Sequence, residues 1–164
     1  MKIQTNFGSG LEMIILCVGA FVWSSRPKFF YYLTMFCIDR ALTCMIKLTY
    51  AQPRPYLENL KIKAYQCPTE FGNPSGHSSA SMGVAIVLFL DVFHGQTRGV
   101  LKFYSWTAYC ASLVFAIYWL VSIPITRIVL GVHSFDQVVF GSTLGVWNGL
   151  LCHFLLRDNL IAHI

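Results

Sequence analysis

Pro74-Ser75-Gly76-His77 is the stretch of this 164-residue sequence that says most about its fold, because a polar loop enters an apolar helix there. Upstream of it lie Lys47 and Arg54, and the latter is followed directly by a proline. Downstream, Arg127 precedes His133 by six residues. Positioned cations and two histidines in a hydrophobic chain predict a site that holds a phosphate group and attacks it.

The composition indicates a protein that lies in a membrane. Mean hydropathy is +0.57 and only 12% of the residues are charged. Five apolar runs are each about long enough for a helix to cross a bilayer core of about 30 Å, and they lie at Phe7–Trp23, Phe29–Tyr50, His77–Phe93, Phe103–Ile123 and Asp136–Leu156. The first run is short and carries Glu12, but we interpret it as a helix because no clear signal-peptide cleavage site follows it. The sequence therefore predicts a single domain over residues 1–164, an all-α bundle of about five transmembrane helices.

The charge and the cysteines argue against two other classes of protein. The net charge is +5, but the cations lie in motifs or at the edges of the apolar runs, so we expect no nucleic-acid partner. Five of the six cysteines fall within predicted spans, and Cys67 lies in a polar loop without a partner there. The spacing fits neither a disulfide framework nor a zinc site, and we expect no metal and no cofactor.

The order of the spans brings the two motif-bearing loops, residues 51–76 and 124–137, to the same face of the membrane. Apart from motif cations, that face carries three lysines, whereas the opposite face carries five cations, Arg26, Lys28, Arg98, Lys102 and Arg157. Because positive charge favours the cytoplasmic side, we expect the motif face to point to the lumen or exterior, in the endoplasmic reticulum or plasma membrane. The prolines and glycine of the longer loop prevent a continuous helix, so we expect it to fold over this face as a lid or rim.

Five residues form the predicted phosphate-binding set. Phosphoryl transfer requires donors matched to the charge on the phosphoryl oxygens. Lys47 near the end of the second helix, Arg54 in the turn after it, and Arg127 can supply such donors. Ser75 and Gly76 lie where a loop enters a helix, and backbone N–H groups at a helix N-terminus, aided by the helix dipole, form an anion site.

The two motif histidines suit a double displacement. His133 would attack phosphorus in line and form a phosphohistidine. His77 would protonate the departing oxygen and later activate the hydrolytic water. These two residues are the predicted catalytic pair.

The spacing of these residues is that of a known family. Lys, six residues, Arg-Pro, then Pro-Ser-Gly-His, then Arg, five residues, His resembles the type 2 phosphatidic acid phosphatase superfamily, which includes lipid phosphate phosphatases, glucose-6-phosphatase and vanadium haloperoxidases. The resemblance runs from about Lys47 to Gly141. It implies a metal-independent phosphatase on a helical bundle, with His133 as nucleophile, His77 as acid and base, and the five residues of the phosphate-binding set in that role.

The chain departs from the family pattern at three points. Thr126 precedes Arg127 where the family usually has Ser, which preserves a hydroxyl. Gln137 stands where the family usually has an Asp that orients the nucleophile, and Asp136 precedes it, so either could reach His133 on a helix that starts there. A neutral amide would stabilise an imidazolium less than a carboxylate does. Family members commonly show six core helices, and the one lacking here is the first, so we expect a fragment, a shortened chain, or a fold that tolerates the loss.

Two features of the predicted helices lie outside the motifs. Asp39 and Arg40 fall in the middle of a span, where unpaired charge is costly. Arg40 lies on nearly the same face as Lys47, and it is either beneath the phosphate site or in an ion pair with Asp39 or a neighbouring helix. Glycine at every fourth position of the last helix predicts a close helix–helix contact, within the bundle or between subunits of a homo-oligomer, at Gly141, Gly145 and Gly149.

The sequence as a whole predicts an integral membrane phosphatase that hydrolyses a phosphatidate-like lipid phosphate monoester, with its motif-bearing core at residues 47–141. A site at the membrane interface favours a lipid that enters laterally. The alternatives are a sugar-phosphate or polyprenyl-pyrophosphate phosphatase of the same fold, a vanadate-dependent oxidase, and a catalytically weakened lipid-binding or scaffold protein.

Overall fold

The computed structural model describes residues 26–93 and 106–163, together with Ile15, Val18, Gly19, Phe21 and Val22. In these ranges every regular element is a helix, which confirms the predicted all-α class. The elements are α1 (Arg26–Tyr50), the single turn α2 (Pro55–Glu58), α3 (Gly76–Phe93), α4 (Trp106–Val129), α5 (Phe135–Leu151), a π-helical segment (Cys152–Leu156) and α6 (Arg157–His163). Most of the predicted first span, Phe7–Trp23, lies outside the described residues.

Helix α3 lies at the centre of the bundle and packs against α1, α4 and α5. The glycine face of α5 makes its contact with α3. A Cβ on Gly141 would lie 2.4 Å from the carbonyl oxygen of Ser75, and one on Gly145 would lie 2.1 Å from that of Ser79. Of the two alternatives for the close contact predicted from the glycine repeat, the structure shows the one within the bundle, since α3 of the same chain covers this face of α5.

The outer surface of the bundle is apolar. Among the described residues, three helical stretches are long and apolar enough to cross a membrane, Arg26–Glu58, Tyr109–Val129 and Phe135–Leu160. Large apolar side chains stand exposed along α4, namely Val114, Phe115, Ile117, Tyr118 and Val121. Such a surface is stable against lipid, where helices satisfy their own backbone groups. The protein is therefore an integral membrane protein.

Two polar side chains within the spans, those of Asp39 and Asn148, point into the bundle. Asp39 on α1 is buried and accepts a hydrogen bond of 2.5 Å from the hydroxyl of Ser79 on α3. Asn148 on α5 is also buried, and its amide donates to the carbonyl oxygen of Met35 at 3.4 Å. This arrangement keeps polar groups away from lipid, where they are costly.

At the end of the bundle opposite the motifs, a buried carboxylate connects three helices. Asp91 near the end of α3 forms ion pairs with Lys28 at 3.0 Å and with Arg157 at 2.8 Å. It also accepts a hydrogen bond of 2.8 Å from the hydroxyl of Tyr32. These contacts tie α1 and α6 to α3, and the two cations balance the charge of the buried carboxylate.

Helix α4 extends further along the chain than predicted, so the predicted bounds of the loop Pro124–Gln137 are wrong. The helix contains Pro124 and ends at Val129, and α5 begins at Phe135. Membrane helices tolerate proline because neighbouring groups satisfy the backbone that it frees. The connection is therefore only residues 130–134, and it turns at Gly131, whose φ of +69° favours glycine.

Candidate active site

The C-terminal ends of α1 and α4 and the N-terminal ends of α3 and α5 meet at one end of the bundle. The predicted site residues are placed at these ends and in the loops beside them. Of these residues, His77 is half-buried and Asp136 is exposed, whereas the others are buried, namely Lys47, Arg54, Ser75, Gly76, Arg127, His133 and Gln137. The fold thus forms a largely enclosed, polar site from segments that are distant in sequence.

Both ring nitrogens of His133 have a defined neighbour. Its Nδ1 lies 3.3 Å from Oε1 of Gln137, and its Nε2 lies 3.2 Å from Nη1 of Arg54. The Gln137 amide is oriented by its Nε2, which donates to the carbonyl oxygen of Pro53 at 3.0 Å. Because Oε1 only accepts and a guanidinium only donates, one tautomer satisfies both contacts. The proton is then on Nδ1, and the lone pair on Nε2 accepts a hydrogen bond from Nη1 of Arg54.

The surroundings of His133 keep its ring neutral. Its exposed fraction is 2%. Burial, and after it the positive charges of Arg54 and Arg127, lowers the pKa of His133 to about 3. The ring nitrogen Nε2 therefore stays unprotonated throughout the physiological pH range.

Arg54 connects the two motif-bearing loops. Its Nε donates to the carbonyl oxygen of Glu70 at 2.8 Å, and its Nη1 donates to that of Val132 at 3.0 Å. The same Nη1 faces His133. Arg54 is thus fixed by backbone acceptors on both sides, and it is held beside the imidazole nitrogen that can attack a substrate.

Lys47 forms an ion pair with Glu70, which the sequence analysis did not identify as a site residue. The ammonium group is buried, whereas 64% of the Glu70 side chain is exposed. Burial raises the pKa of Glu70, but the hydrogen bond and the charge of Lys47 outweigh this effect, so its pKa lies below the usual value. The sequence contained one signal for this partner of Lys47: Glu70 is the only acidic residue between Glu58 and Asp91, and it lies in the loop that joins the motifs.

Arg127 has donors that no group of the protein uses. The residue lies in the last turn of α4 and is 2% exposed. Within the described part of the chain, its buried Nε and Nη1 have no hydrogen-bond partner. Unsatisfied buried donors on a cation are costly, and an anion bound between Arg127 and the other cations would satisfy them.

The Pro-Ser-Gly-His motif lies at the start of α3 as predicted, but one of its N–H groups is already used. The N–H of Ser75 donates to the carbonyl oxygen of Gln137 at 3.0 Å, and the Ser75 hydroxyl accepts a hydrogen bond of 2.9 Å from that of Ser78. The N–H of Ser75 is therefore engaged within the protein, and the part of Ser75 in phosphate binding stays a prediction. Helix geometry leaves the N–H groups of Gly76 and His77 without an acceptor four residues back, and these can face an anion.

Gln137 and Asp136, the two predicted orienting residues, occupy different environments. Gln137 is 1% exposed and contacts His133 directly, and its Oε1 also accepts from the N–H of Ser134 at 3.3 Å. Asp136 is exposed and lies 3.4 Å from Nε2 of Gln52, which donates to it. Of the two, Gln137 is the residue placed to orient the imidazole. In the described ranges, no group of three or more His, Cys, Asp or Glu residues could hold a metal ion.

The long loop folds across the motif end of the bundle. The N–H of Tyr65 donates to the carbonyl oxygen of Leu130 at 3.2 Å, and that of Gly72 donates to the carbonyl of Gln52 at 2.8 Å. A Cβ on Gly72 would lie 2.6 Å from Nε2 of Gln137, so glycine allows the loop to press against the residue that contacts His133. The loop therefore helps to shape the site as well as to cover it.

Comparison with known proteins agrees with this geometry. The family described as the PAP2 superfamily matches residues 28–160. The chain belongs to the PAP2 superfamily. The match includes all three motifs and extends over α1 to α6, so the PAP2 fold accounts for nearly all of the described structure.

A solved PAP2 structure shows the same fold. The crystal structure of a transmembrane PAP2-type phosphatidylglycerolphosphate phosphatase from Bacillus subtilis superposes with a TM-score of 0.68 at 23% sequence identity. The similarity covers 92% of this chain and 73% of that one. None of the curated proteins matches the sequence of this chain. Membership of the PAP2 superfamily, together with apolar helices around an enclosed cationic site, supports a membrane phosphatase.

Proposed function

We propose that the protein hydrolyses a phosphate monoester of a lipid, of the phosphatidate type, through a phosphohistidine on His133. The observation that carries this proposal is the environment of His133. A neutral ring with its lone pair on Nε2 lies beside Arg54, and the unpartnered donors of Arg127 are available for the phosphoryl oxygens.

The first chemical step is in-line attack by Nε2 of His133 on phosphorus. The P–N bond forms, the bond from phosphorus to the ester oxygen breaks, and His77 donates a proton to that oxygen, so the alcohol leaves. Lys47, Arg54 and Arg127 balance the charge on the phosphoryl oxygens. The negative charge of a bound phosphate favours the protonated form of a neighbouring imidazole, which suits His77 as an acid.

The second step returns the enzyme to its initial state. His77, now neutral, takes a proton from a water molecule, whose oxygen attacks the phosphohistidine. The P–N bond breaks and inorganic phosphate leaves. The proton on Nδ1 of His133 stays hydrogen-bonded to Oε1 of Gln137 throughout, which keeps the ring in the orientation required for both steps.

A lipid substrate is supported by the surroundings of the site. Exposed apolar side chains on the long loop include Leu57, Leu60, Tyr65 and Phe71, which suit a surface that contacts lipid at the interface. The described cations at the opposite end of the bundle, Arg26, Lys28 and Arg157, favour the cytoplasm for that end. We therefore propose that the site opens to the lumen or to the exterior.

Phosphate release by the detergent-purified protein in EDTA tests this function. The substrates are phosphatidate, a sphingoid-base phosphate, a prenyl pyrophosphate and glucose 6-phosphate. We expect release from a lipid monoester, its loss in His133→Ala, and its retention in His163→Ala, a histidine outside all three motifs. Full activity of His133→Ala would overturn the mechanism, and activity restricted to glucose 6-phosphate or the pyrophosphate would overturn the substrate class.

A binding or scaffold function is the second candidate, and two observations favour it. The residue that contacts Nδ1 of His133 is the neutral Gln137, which stabilises an imidazolium less than a carboxylate does. In addition, Lys47 forms an ion pair with Glu70, which competes with a phosphate for this cation. This function predicts that lipid phosphate or vanadate binds to the protein and that no phosphate is released from any of the four substrates.

A further inference from the structure

Arg40 is a cation of α1 that reaches the start of α3. Its Nη2 lies 2.5 Å, and its Cζ 3.5 Å, from the position that a Cβ on Gly76 would occupy. The guanidinium group therefore lies against the backbone of the Pro-Ser-Gly-His motif, although Arg40 is outside every motif. Glycine at position 76 makes room for it, since any larger residue would displace the guanidinium.

In the described part of the chain, no carboxylate lies within ion-pair distance of Arg40. Among the described residues Arg40 forms no ion pair, and its buried Nε has no hydrogen-bond partner. Its neighbour Asp39 instead accepts from Ser79. An unpaired guanidinium at this depth is costly, so a structural role as one half of an ion pair does not account for it.

Arg40 lies beside the site described above. Its guanidinium group contacts Gly76, the residue that directly precedes His77 in the motif. Lys47 lies seven residues further along the same helix, about 10 Å away along its axis, so the two cations approach the site from different depths. Arg40 is the deeper of the two.

We propose that Arg40 is a further phosphate-binding residue, which holds the bound anion from beneath, beside the N–H groups of Gly76 and His77. The proposal rests on the proposed function only for its ligand, a tetrahedral phosphate or its analogue. A bound phosphoryl group would satisfy the free donors of Arg40 and Arg127 together. Glu70 neutralises part of the positive charge of the site through its ion pair with Lys47. A fourth cation, Arg40, restores positive charge for the phosphoryl oxygens.

Binding of orthovanadate tests the proposal without requiring turnover. The dissociation constant is measured from the rise in thermal unfolding temperature of the detergent-purified protein with vanadate concentration. The variant is Arg40→Gln, and the matched control is Arg26→Gln, which removes an exposed arginine from the first turn of the same helix. We expect the vanadate Kd to rise at least about tenfold in Arg40→Gln and to stay at the wild-type value in Arg26→Gln.

The unfolding temperature without vanadate separates binding from folding. A residue with only a structural role would lower that temperature and leave the Kd unchanged, and a folded Arg40→Gln protein with the wild-type Kd overturns the proposal. If Arg40→Gln does not fold, Arg40→Lys is tested in its place. This variant keeps the positive charge but lacks the planar guanidinium group, so the Kd for vanadate must also rise.

The same experiment distinguishes this proposal from the proposed function. A protein that releases no phosphate from any substrate, but binds vanadate through Arg40, refutes the phosphatase and supports the site. If the protein is an active phosphatase and Arg40→Gln has the wild-type Kd for vanadate, the proposed function is supported and the proposed role of Arg40 is refuted. Absence of vanadate binding by the wild-type protein overturns the role of Arg40 directly.

Discussion

The change Gln137→Glu should move the acid limb of the pH–rate profile. The side chain keeps its length, and its oxygen stays near Nδ1 of His133, at the 3.3 Å that separates the atoms in the native protein. The amide becomes a carboxylate, so a negative charge now faces a ring whose pKa is held at about 3 by burial and by Arg54 and Arg127. The sign of the effect follows, because a carboxylate favours the protonated imidazole and raises its pKa.

The magnitude follows from Coulomb's law. Two unit charges about 4 Å apart interact by about 4 kcal/mol at an effective dielectric constant of about 20. At about 1.4 kcal/mol per pKa unit, the shift for His133 is about three units, which brings its pKa to about 6. Protonation of Nε2 removes the nucleophile, so activity should now fall as the pH drops through about 6, whereas the wild-type nucleophile stays neutral well below that pH.

The assay is kcat/KM for the best lipid substrate between pH 4 and 8, with Asp136→Asn as the control. Asp136 is exposed and bonded to Gln52, so removal of its charge should leave the profile unchanged. The new carboxylate also loses the donor to the Pro53 carbonyl, which should lower the unfolding free energy by about 1–3 kcal/mol. A folded, active Gln137→Glu protein with the wild-type acid limb would refute the assigned contact between residue 137 and His133.

Three further outcomes follow from the contacts of the site and the bundle. Lys47→Ala should raise the KM for a lipid phosphate about tenfold or more in steady-state kinetics while changing kcat less, because a charged donor to the anion is lost. Glu70→Gln should lower KM by up to about fivefold, because the phosphate no longer competes with a carboxylate for Lys47. The pKa of Glu70 lies below its unfolded value of about 4.3, so the ion pair persists above that pH, and the difference between Glu70→Gln and wild type should vanish as the pH falls through the folded pKa. Gly145→Ala should lower the thermal unfolding temperature more than Gly149→Ala, because the added Cβ would lie 2.1 Å from a backbone oxygen at position 145 and 3.1 Å at position 149; equal losses would contradict the packing described.

Most of the site could be predicted from the sequence because its residues belong to three motifs that flank helix ends. Spans of membrane length force those ends to one face or the other, so Lys47, the Pro-Ser-Gly-His motif and Arg127 must converge. The glycine repeat predicted a close contact as well. It did not identify the partner helix, because the same spacing serves contacts within a chain and between chains.

The remaining features depend on the path of the loops, which composition does not determine. The ion pair of Glu70 with Lys47 requires the long loop to fold back over the end of α1. Helix α4 continues past Pro124 because neighbouring groups satisfy the backbone that the proline frees. Those groups are distant in the sequence, so the local sequence pattern does not predict where the helix ends. Likewise, the choice between Gln137 and Asp136 depends on the rotation of the first turn of α5, which spacing alone leaves open.

The glycine contact between α3 and α5 limits which parts of the protein can move relative to each other. Backbone touches backbone there, with Ser75 against Gly141 and Ser79 against Gly145, so neither helix can slide or rotate without collision. His77 and Gln137 are carried by these two helices and therefore keep their relative positions. Any widening of the access route then comes from segments outside this pair of helices, such as the long loop.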